Sequence, residues 1–227
     1  MELSSIVPWG RSYGEYCSMF SLSERDLECH ILGCGDGPAS FNAELTQHGG
    51  RIMSVDPIYQ FSAEGIRSRI QRVYPGILAE LARNTQHYYW GSFKDPGHVG
   101  SVRMSAMNRF LADFDNGLED GRYVDASLPE LPFFDAEFDL ALCSHLLFLY
   151  SEQIDAAQHI DALVEMCRVA KEVRIYPLLS LDGRVSQHVP GVLRYFNERD
   201  YIAELKPVAY QFQKGASDML VLRQKRD

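Results

Sequence analysis

From about residue 28 onward, short apolar runs alternate with stretches of helical periodicity, and this alternation limits the fold more than any other feature of the chain. It is the pattern of parallel strands joined by crossover helices. The runs Cys29–Leu32, Arg51–Val55, Arg122–Val124, Phe138–Cys143 and Glu172–Tyr176 are each bounded by glycine, proline, acidic or polar residues, and they predict five parallel strands. Ala203–Tyr210 and Met219–Arg223 are also strand-like, but only a brief polar turn with Gly215 separates them. With no helix between them, they predict an antiparallel hairpin. The expected class is α/β.

Between the first two strands, Gly37-Pro38 marks a helix start and Gly49-Gly50 its end, because proline at a first helical position gives up only an N–H that has no intrahelical partner. Ile154, Ala157, Ile160, Leu163, Val164 and Cys167 recur at helical spacing, with Ser151 as the expected cap. The connection of about residues 60–120 is long for one strand-to-strand link and reads as a helical insertion. One stripe there is Ile66, Ile70, Val73, Ile77 and Leu81, interrupted by Pro75-Gly76. A second is Val99, Val102, Ala106, Phe110 and Phe114, behind Asp95-Pro96. Both read first as core and second as a lid over a substrate.

At 227 residues the chain fits one domain spanning residues 1–227. A composition 46% hydrophobic and 23% charged leaves no room for a long disordered tail. The longest apolar run, Leu140–Tyr150, falls short of the roughly 20 residues a bilayer crossing needs. The start, Met1-Glu2-Leu3-Ser4-Ser5, lacks a secretory leader, so the expected location is cytoplasmic, without membrane contact. Five scattered cysteines without a CxxC pair suggest reduced thiols and no metal site. A formal net charge of -9 disfavours a phosphate backbone as partner, and a small-molecule substrate is expected instead. The basic run Arg223–Arg226 reads as a solvated chain end. Nothing in the sequence sets an oligomeric state.

Ile31-Leu32-Gly33-Cys34-Gly35-Asp36-Gly37-Pro38 runs from the first strand into the next helix, and its glycines allow a tight turn and close approach of the backbone to a ligand. Ser54-Val55-Asp56 ends the second strand about twenty residues on, where a carboxylate can accept hydrogen bonds from both hydroxyls of a ribose. Helix capping is the plain alternative for Asp56, and the sequence reading sets it back because Pro57 follows directly. A dinucleotide fingerprint needs its third glycine at position 38, where Pro38 stands, so NAD is disfavoured, and no GxxxxGK[ST] run is present.

Leu32-Gly33-Cys34-Gly35-Asp36-Gly37 and Val55-Asp56 resemble the first two motifs of the class I S-adenosylmethionine (SAM)-dependent methyltransferases. Tyr123-Val124-Asp125-Ala126-Ser127-Leu128-Pro129 and Phe138-Asp139-Leu140 are similar to that family's third and fourth strand signatures. The resemblance runs in order from Cys29 to about Tyr176. It implies a Rossmann-like, seven-stranded, mostly parallel sheet with helices on both faces and an antiparallel C-terminal hairpin. It implies SAM as cofactor, S-adenosylhomocysteine as product, and cofactor contacts from Gly33, Cys34, Gly35, Asp56, Pro57, Asp125, Ala126 and Ser144, with Asp125 meeting the adenine amino group.

The family's acidic residue two positions before the first glycine is replaced here by Ile31. Arg11, Ser12 and Tyr16 are candidates to reach the methionine carboxylate. His145, at the end of the fourth strand, is the candidate general base, with a structural histidine as its equal alternative. Cys34 and Cys143 read as packing residues. Ser144-His145-Leu146-Leu147 stands where enzymes of exocyclic amines carry Asn-Pro-Pro-Tyr, which argues against a nucleic-acid amine. Substrate identity is expected to reside in the insertion, the N-terminal segment and Ser186–Asp200. The expected activity is methyl transfer to a small molecule; the alternative is a SAM-binding module without turnover, and a nicotinamide oxidoreductase ranks third.

Overall fold

The structure is a computed structural model that describes residues 7–225; the expectations for Met1–Ser5 and for Arg226 lie outside them. The strands are β1 (His30–Cys34), β2 (Arg51–Val55), β3 (Tyr123–Val124), β4 (Phe138–Ser144), β5 (Ala170–Tyr176), β6 (Tyr201–Pro207) and β7 (Asp218–Gln224). The helices are α1 (Tyr13–Met19), α2 (Glu24–Leu27), α3 (Phe41–Gln47), α4 (Ala63–Arg83), α5 (Pro96–Glu119), α6 (Ala156–Val169) and α7 (Val189–Asn197).

The strands form one sheet in the order β3-β2-β1-β4-β5-β7-β6. The first five are parallel, and β7 lies antiparallel between β5 and β6. This is the α/β architecture that the resemblance implies, with its hairpin at the C-terminal edge.

Both faces of the sheet are covered. Along β4, Ala141 and Cys143 point into one core with α6 and α7, while Leu140 and Leu142 point into another with α1 and α3. That two-sided burial is why the strands read as continuous apolar runs. The parallel direction of β1, β2, β3 and β4 places the loops after them at one end of the sheet, where ligands of open α/β folds bind.

Three local readings differ from the structure. The turn after β1 continues to Ser40, and α3 starts at Phe41, not at Pro38. The cap of α6 is Asp155, in a reciprocal pairing with Gln158, not Ser151. A carboxylate at the N-terminus also favours the helix dipole, and Ser151 instead bonds Phe148 and Ser186.

Pro75 does not interrupt its helix; α4 runs through it. The proline sits on the solvent face, while Ile66, Ile70, Ile77 and Leu81 on the opposite face are buried and hold the turns on either side of it. A missing hydrogen bond on the outer side of a helix is the easiest to tolerate. Asp95 caps α5 with Pro96 at its first position, as expected.

The insertion stands on the β3 edge of the sheet through Met107, Phe110 and Phe114, packed with Tyr59 and Tyr123. Its far end forms a separate apolar cluster of Leu81, Phe93 and Val99 with Trp9, Tyr88 and Phe212. There the chain at Tyr88 bridges Gln213 in antiparallel fashion, with Tyr89 N–H on Phe212 O at 2.8 Å and Lys214 N–H on His87 O at 2.9 Å.

Arg103, 1% exposed, reaches from α5 to Glu15 on α1. Tyr210 donates to the same carboxylate at 2.7 Å. Burial pushes the Glu15 carboxyl up, but the guanidinium beside it outweighs this and holds it down at about 2. Removing one partner of a buried pair leaves an uncompensated charge at a cost of about 3–5 kcal/mol. Arg103→Ala is therefore expected to lose stability on that scale in urea unfolding at neutral pH. The double variant Arg103→Met/Glu15→Gln should lose less than the sum of its two singles.

Candidate functional site

A cavity of about 560 Å³ opens at the carboxyl end of the parallel strands. Of the residues singled out in the sequence, Arg11, Tyr16, Gly35, Asp56, Pro57, Ala126, Ser144 and His145 line it.

Gly33, Cys34 and Asp125 do not. Cys34 is fully buried in the core on the α6 side of the sheet. Its thiol is pushed far up by burial, and that of Cys143 to about 12, so both stay protonated and serve as packing. Asp125 is solvent-exposed at the rim, near enough for its charge to raise the Asp56 carboxyl.

Gly33 has a different duty from direct contact. A Cβ there would stand 1.8 Å from the Asp36 Oδ2 atom. The missing side chain makes room for the Asp36 carboxylate to fold back over the end of β1. Asp36, 7% exposed, accepts from the Tyr16 hydroxyl at 2.8 Å and the Ser54 hydroxyl at 2.7 Å, and no cation pairs with it among the described residues. Burial pushes its carboxyl up to about 6, partly offset by the two hydroxyls and reinforced by Asp56. Sequence reasoning passed over Asp36 as a residue between glycines; its signal was an acid at a position destined for burial. Gly35, at φ +68, supplies the tight turn itself, in a conformation that L side chains rarely adopt.

Asp56 caps the short 3-10 turn Pro57–Gln60: its Oδ1 accepts from Ile58 N–H at 2.9 Å and its Oδ2 from Gly37 N–H at 2.9 Å. The capping role that Pro57 had argued against is thus the one observed, since proline at the first position directly follows a cap. The two functions are compatible. An ionised carboxylate offers about four acceptor positions, and two are used.

Arg11 arrives from the segment before α1. Its carbonyl accepts from Ser40 N–H at 3.0 Å, and a Cβ on Gly10 would stand 2.0 Å from the Pro38 carbonyl oxygen, so this segment lies directly against the glycine turn. The guanidinium donates to the Trp9 carbonyl, and its buried Nε has no partner. Burial, helped by Arg103, pulls its pKa down to about 10. Ser12, by contrast, is committed to capping α1 with Glu15.

His145 directly follows β4, at φ +54, a left-handed conformation that is costly for a residue with a Cβ. Its N–H bonds the Tyr176 carbonyl at 2.7 Å, and its Nδ1 lies 2.8 Å from the Ser144 hydroxyl. Burial first, then Arg11 and Arg103, push its pKa well below the ordinary range, so the imidazole is neutral. Nε2 has no protein partner among the described residues. Such a group can accept a proton from a bound hydroxyl.

No group of three or more metal-ligating side chains occurs among the described residues, and none of their helices is long and apolar enough to cross a membrane.

No protein-family model matches the chain. It is 29% identical over 224 residues to an uncharacterized protein of Methanocaldococcus jannaschii, covering 98% of each. Among solved structures it is similar to magnesium protoporphyrin IX methyltransferase from Synechocystis PCC 6803 with bound SAM, at 9% identity and a TM-score of 0.49, over 94% of this chain and 78% of that one. A SAM-dependent methyltransferase from Aquifex aeolicus gives 13% identity and 0.44 over 92% and 87%. Precorrin-6y C5,15-methyltransferase from Geobacter metallireducens gives 14% and 0.43 over 94% and 87%. At these identities and TM-scores the likenesses assign no residue role.

The Asp36 carboxyl is raised in the folded state above its unfolded range, so its ionisation opposes folding at neutral pH, and acidification relieves that penalty. Asp36→Asn is expected to be more stable than the parent at pH 7.5. Its advantage should shrink as the pH falls through 6 towards 4, by roughly 1.4 kcal/mol per pH unit. Urea unfolding at three pH values reads this difference, and an advantage that does not change with pH would show that the buried carboxylate is not the cause.

Proposed function

We propose that this chain binds SAM in the cavity and transfers its methyl group to a small-molecule acceptor. One observation carries the reading. Asp36, a buried carboxylate without a cation among the described residues, and Arg11, a guanidinium with an unpartnered Nε, both line the cavity close to Tyr16 and the glycine turn. Two opposite charges that do not pair with each other in one cavity are the complement of a zwitterionic α-amino acid. Next to them Asp56 keeps acceptor positions for a ribose, and Ala126 and Pro57 line the space expected to hold the adenine. Together they offer partners for the three parts of SAM, amino acid, ribose and adenine.

In this reading Arg11 holds the carboxylate and Asp36 the ammonium, in place of the acid that Ile31 replaces. Asp56 holds the ribose hydroxyls. When bound, SAM supplies a methyl group on a positively charged sulfur, already a good leaving group. The protein's part is then chiefly to fix the acceptor in line with the methyl carbon, and such positioning is worth up to about 7–11 kcal/mol. His145 takes the proton of an acceptor that has one to lose. A cytoplasmic location and a single domain accompany the proposal.

Thermal denaturation with added ligand tests it. A ligand at one hundred times its dissociation constant stabilises by about 2.7 kcal/mol. SAM and S-adenosylhomocysteine are expected to raise the melting temperature and NAD to leave it unchanged; stabilisation by NAD alone would overturn the reading. Arg11→Ala is expected to weaken SAM by about ten- to a hundredfold, the scale of a charge-assisted hydrogen bond. Its affinity for 5′-methylthioadenosine, which lacks the amino-acid end, should not change. Stabilisation by SAM without S-adenosylhomocysteine release over a metabolite panel would favour a binding module instead.

A further inference from the structure

The Asp36 carboxylate is the end point of a chain of hydrogen bonds that begins outside the cavity. Arg122, just before β3, pairs through both terminal nitrogens with Asp113 on α5, at 2.8 and 2.9 Å. The same guanidinium donates to Asn42 Oδ1 on α3 at 2.7 Å. The Asn42 amide nitrogen donates in turn to the Arg122 carbonyl and to the Ser54 hydroxyl, both at 3.1 Å. Ser54, on β2, then donates to Asp36 at 2.7 Å. Asn42 and Ser54 are 1% and 0% exposed, so no bulk water competes for these bonds.

Each direction in the chain follows from the one before it. A guanidinium only donates, so the Asn42 oxygen must face Arg122 and its nitrogen must face Ser54. A hydroxyl has a single hydrogen, and with Asn42 donating to its oxygen, Ser54 turns that hydrogen to Asp36. The Arg122 charge is met by Asp113, so what reaches Asp36 is an oriented donor and not a counter-ion. The other titratable groups facing Asp36 are Tyr16 from α1, Asp56 and Tyr59 after β2, and Cys34 and Cys143 from β1 and β4, none of them a cation. Two of about four acceptor positions on the carboxylate are thus taken, and Asp36 itself lines the cavity.

We infer that Ser54 and Asn42 are positioning residues, which fix the Asp36 carboxylate as the partner of a ligand ammonium and so make the cavity prefer adenosyl ligands that carry an amino-acid end. The inference rests on the SAM reading above. Neither residue lines the cavity; both act through Asp36. A donor aimed at a carboxylate favours its ionised form, so without Ser54 the carboxyl takes up its proton at higher pH, and a protonated carboxyl offers an ammonium no charge.

Ser54→Ala removes the donor. Asn42→Asp, of nearly the same shape, puts an acceptor where the amide nitrogen faced Ser54 and draws the hydroxyl away from Asp36. In ligand-free protein, the Asp36 carboxyl carbon resonance, assigned with Asp36→Asn, is expected to titrate at about 6 in the parent and about one pH unit higher in Ser54→Ala, and to return towards the parent in Ser54→Thr. Calorimetry at pH 7.5 should show S-adenosylhomocysteine bound about tenfold more weakly by Ser54→Ala and by Asn42→Asp, with 5′-methylthioadenosine unchanged. An added negative charge alone would favour the ammonium, so a loss in Asn42→Asp reports the lost orientation. Equal loss of both ligands, or an unchanged carboxyl titration and unchanged S-adenosylhomocysteine affinity in folded Ser54→Ala, overturns the inference. If Ser54→Ala does not fold, Asn42→Asp decides by the same comparison of ligands. Failure of the parent to bind either ligand overturns the cofactor reading instead, and the carboxyl titration still shows whether Ser54 acts on Asp36.

Discussion

The site depends on one buried carboxylate that the fold accommodates without neutralising. Asp36 reaches its position only because Gly33 has no side chain to occupy it, and two hydroxyls, from Tyr16 and Ser54, are what it has in place of water. Hydroxyl donors stabilise the ionised form without cancelling its charge, which is why the group still titrates near 6. Tyr16 fixes α1 over the glycine turn in the same stroke, with its ring stacked on Phe41 at 4.6 Å. The sheet end, the first helix and the turn are thereby made consistent around a single charge.

The second constraint is the pairing of Arg103 with Glu15 and Tyr210. It joins α5, α1 and the loop between β6 and β7, three segments with no backbone ladder in common. Its orientation matters to the chemistry as well as to stability. Burial, reinforced by Arg11 and Arg103, keeps the His145 imidazole neutral, so a proton acceptor is available in the cavity.

The sheet was legible in the sequence because its strands are buried on both faces and therefore uninterrupted. Leu140–Cys143 reads as a strand for the same reason that it is one. The helix through Pro75 was not legible, because the support that overrides proline comes from α5, more than twenty residues further on. At the site, glycine spacing pointed to the turn, and Arg11, Tyr16 and His145 were all found on the cavity wall. The role of Asp36 stayed hidden because its significance lies in burial, which the local pattern Cys34-Gly35-Asp36-Gly37 does not encode. Arg103 stayed hidden for a related reason: it sits on the apolar stripe of α5 as a charged residue, and its partner is 88 positions away in sequence.

The strap between Tyr88 and Gln213 has a consequence for how the cavity is closed. The glycine turn, Asp56 and His145 are all made before residue 150, yet the chain that closes the space above them includes Phe212 and Gln213. The groups beside the glycine turn thus come from the first half to two thirds of the chain, while part of the cover over them comes from the loop between β6 and β7. The closing contact spans more than a hundred residues, a connection whose entropic cost must be met before any contact rewards it. The enclosure of the cavity thus rests on a contact between segments far apart in the chain, and a change in either segment reaches the site through the other.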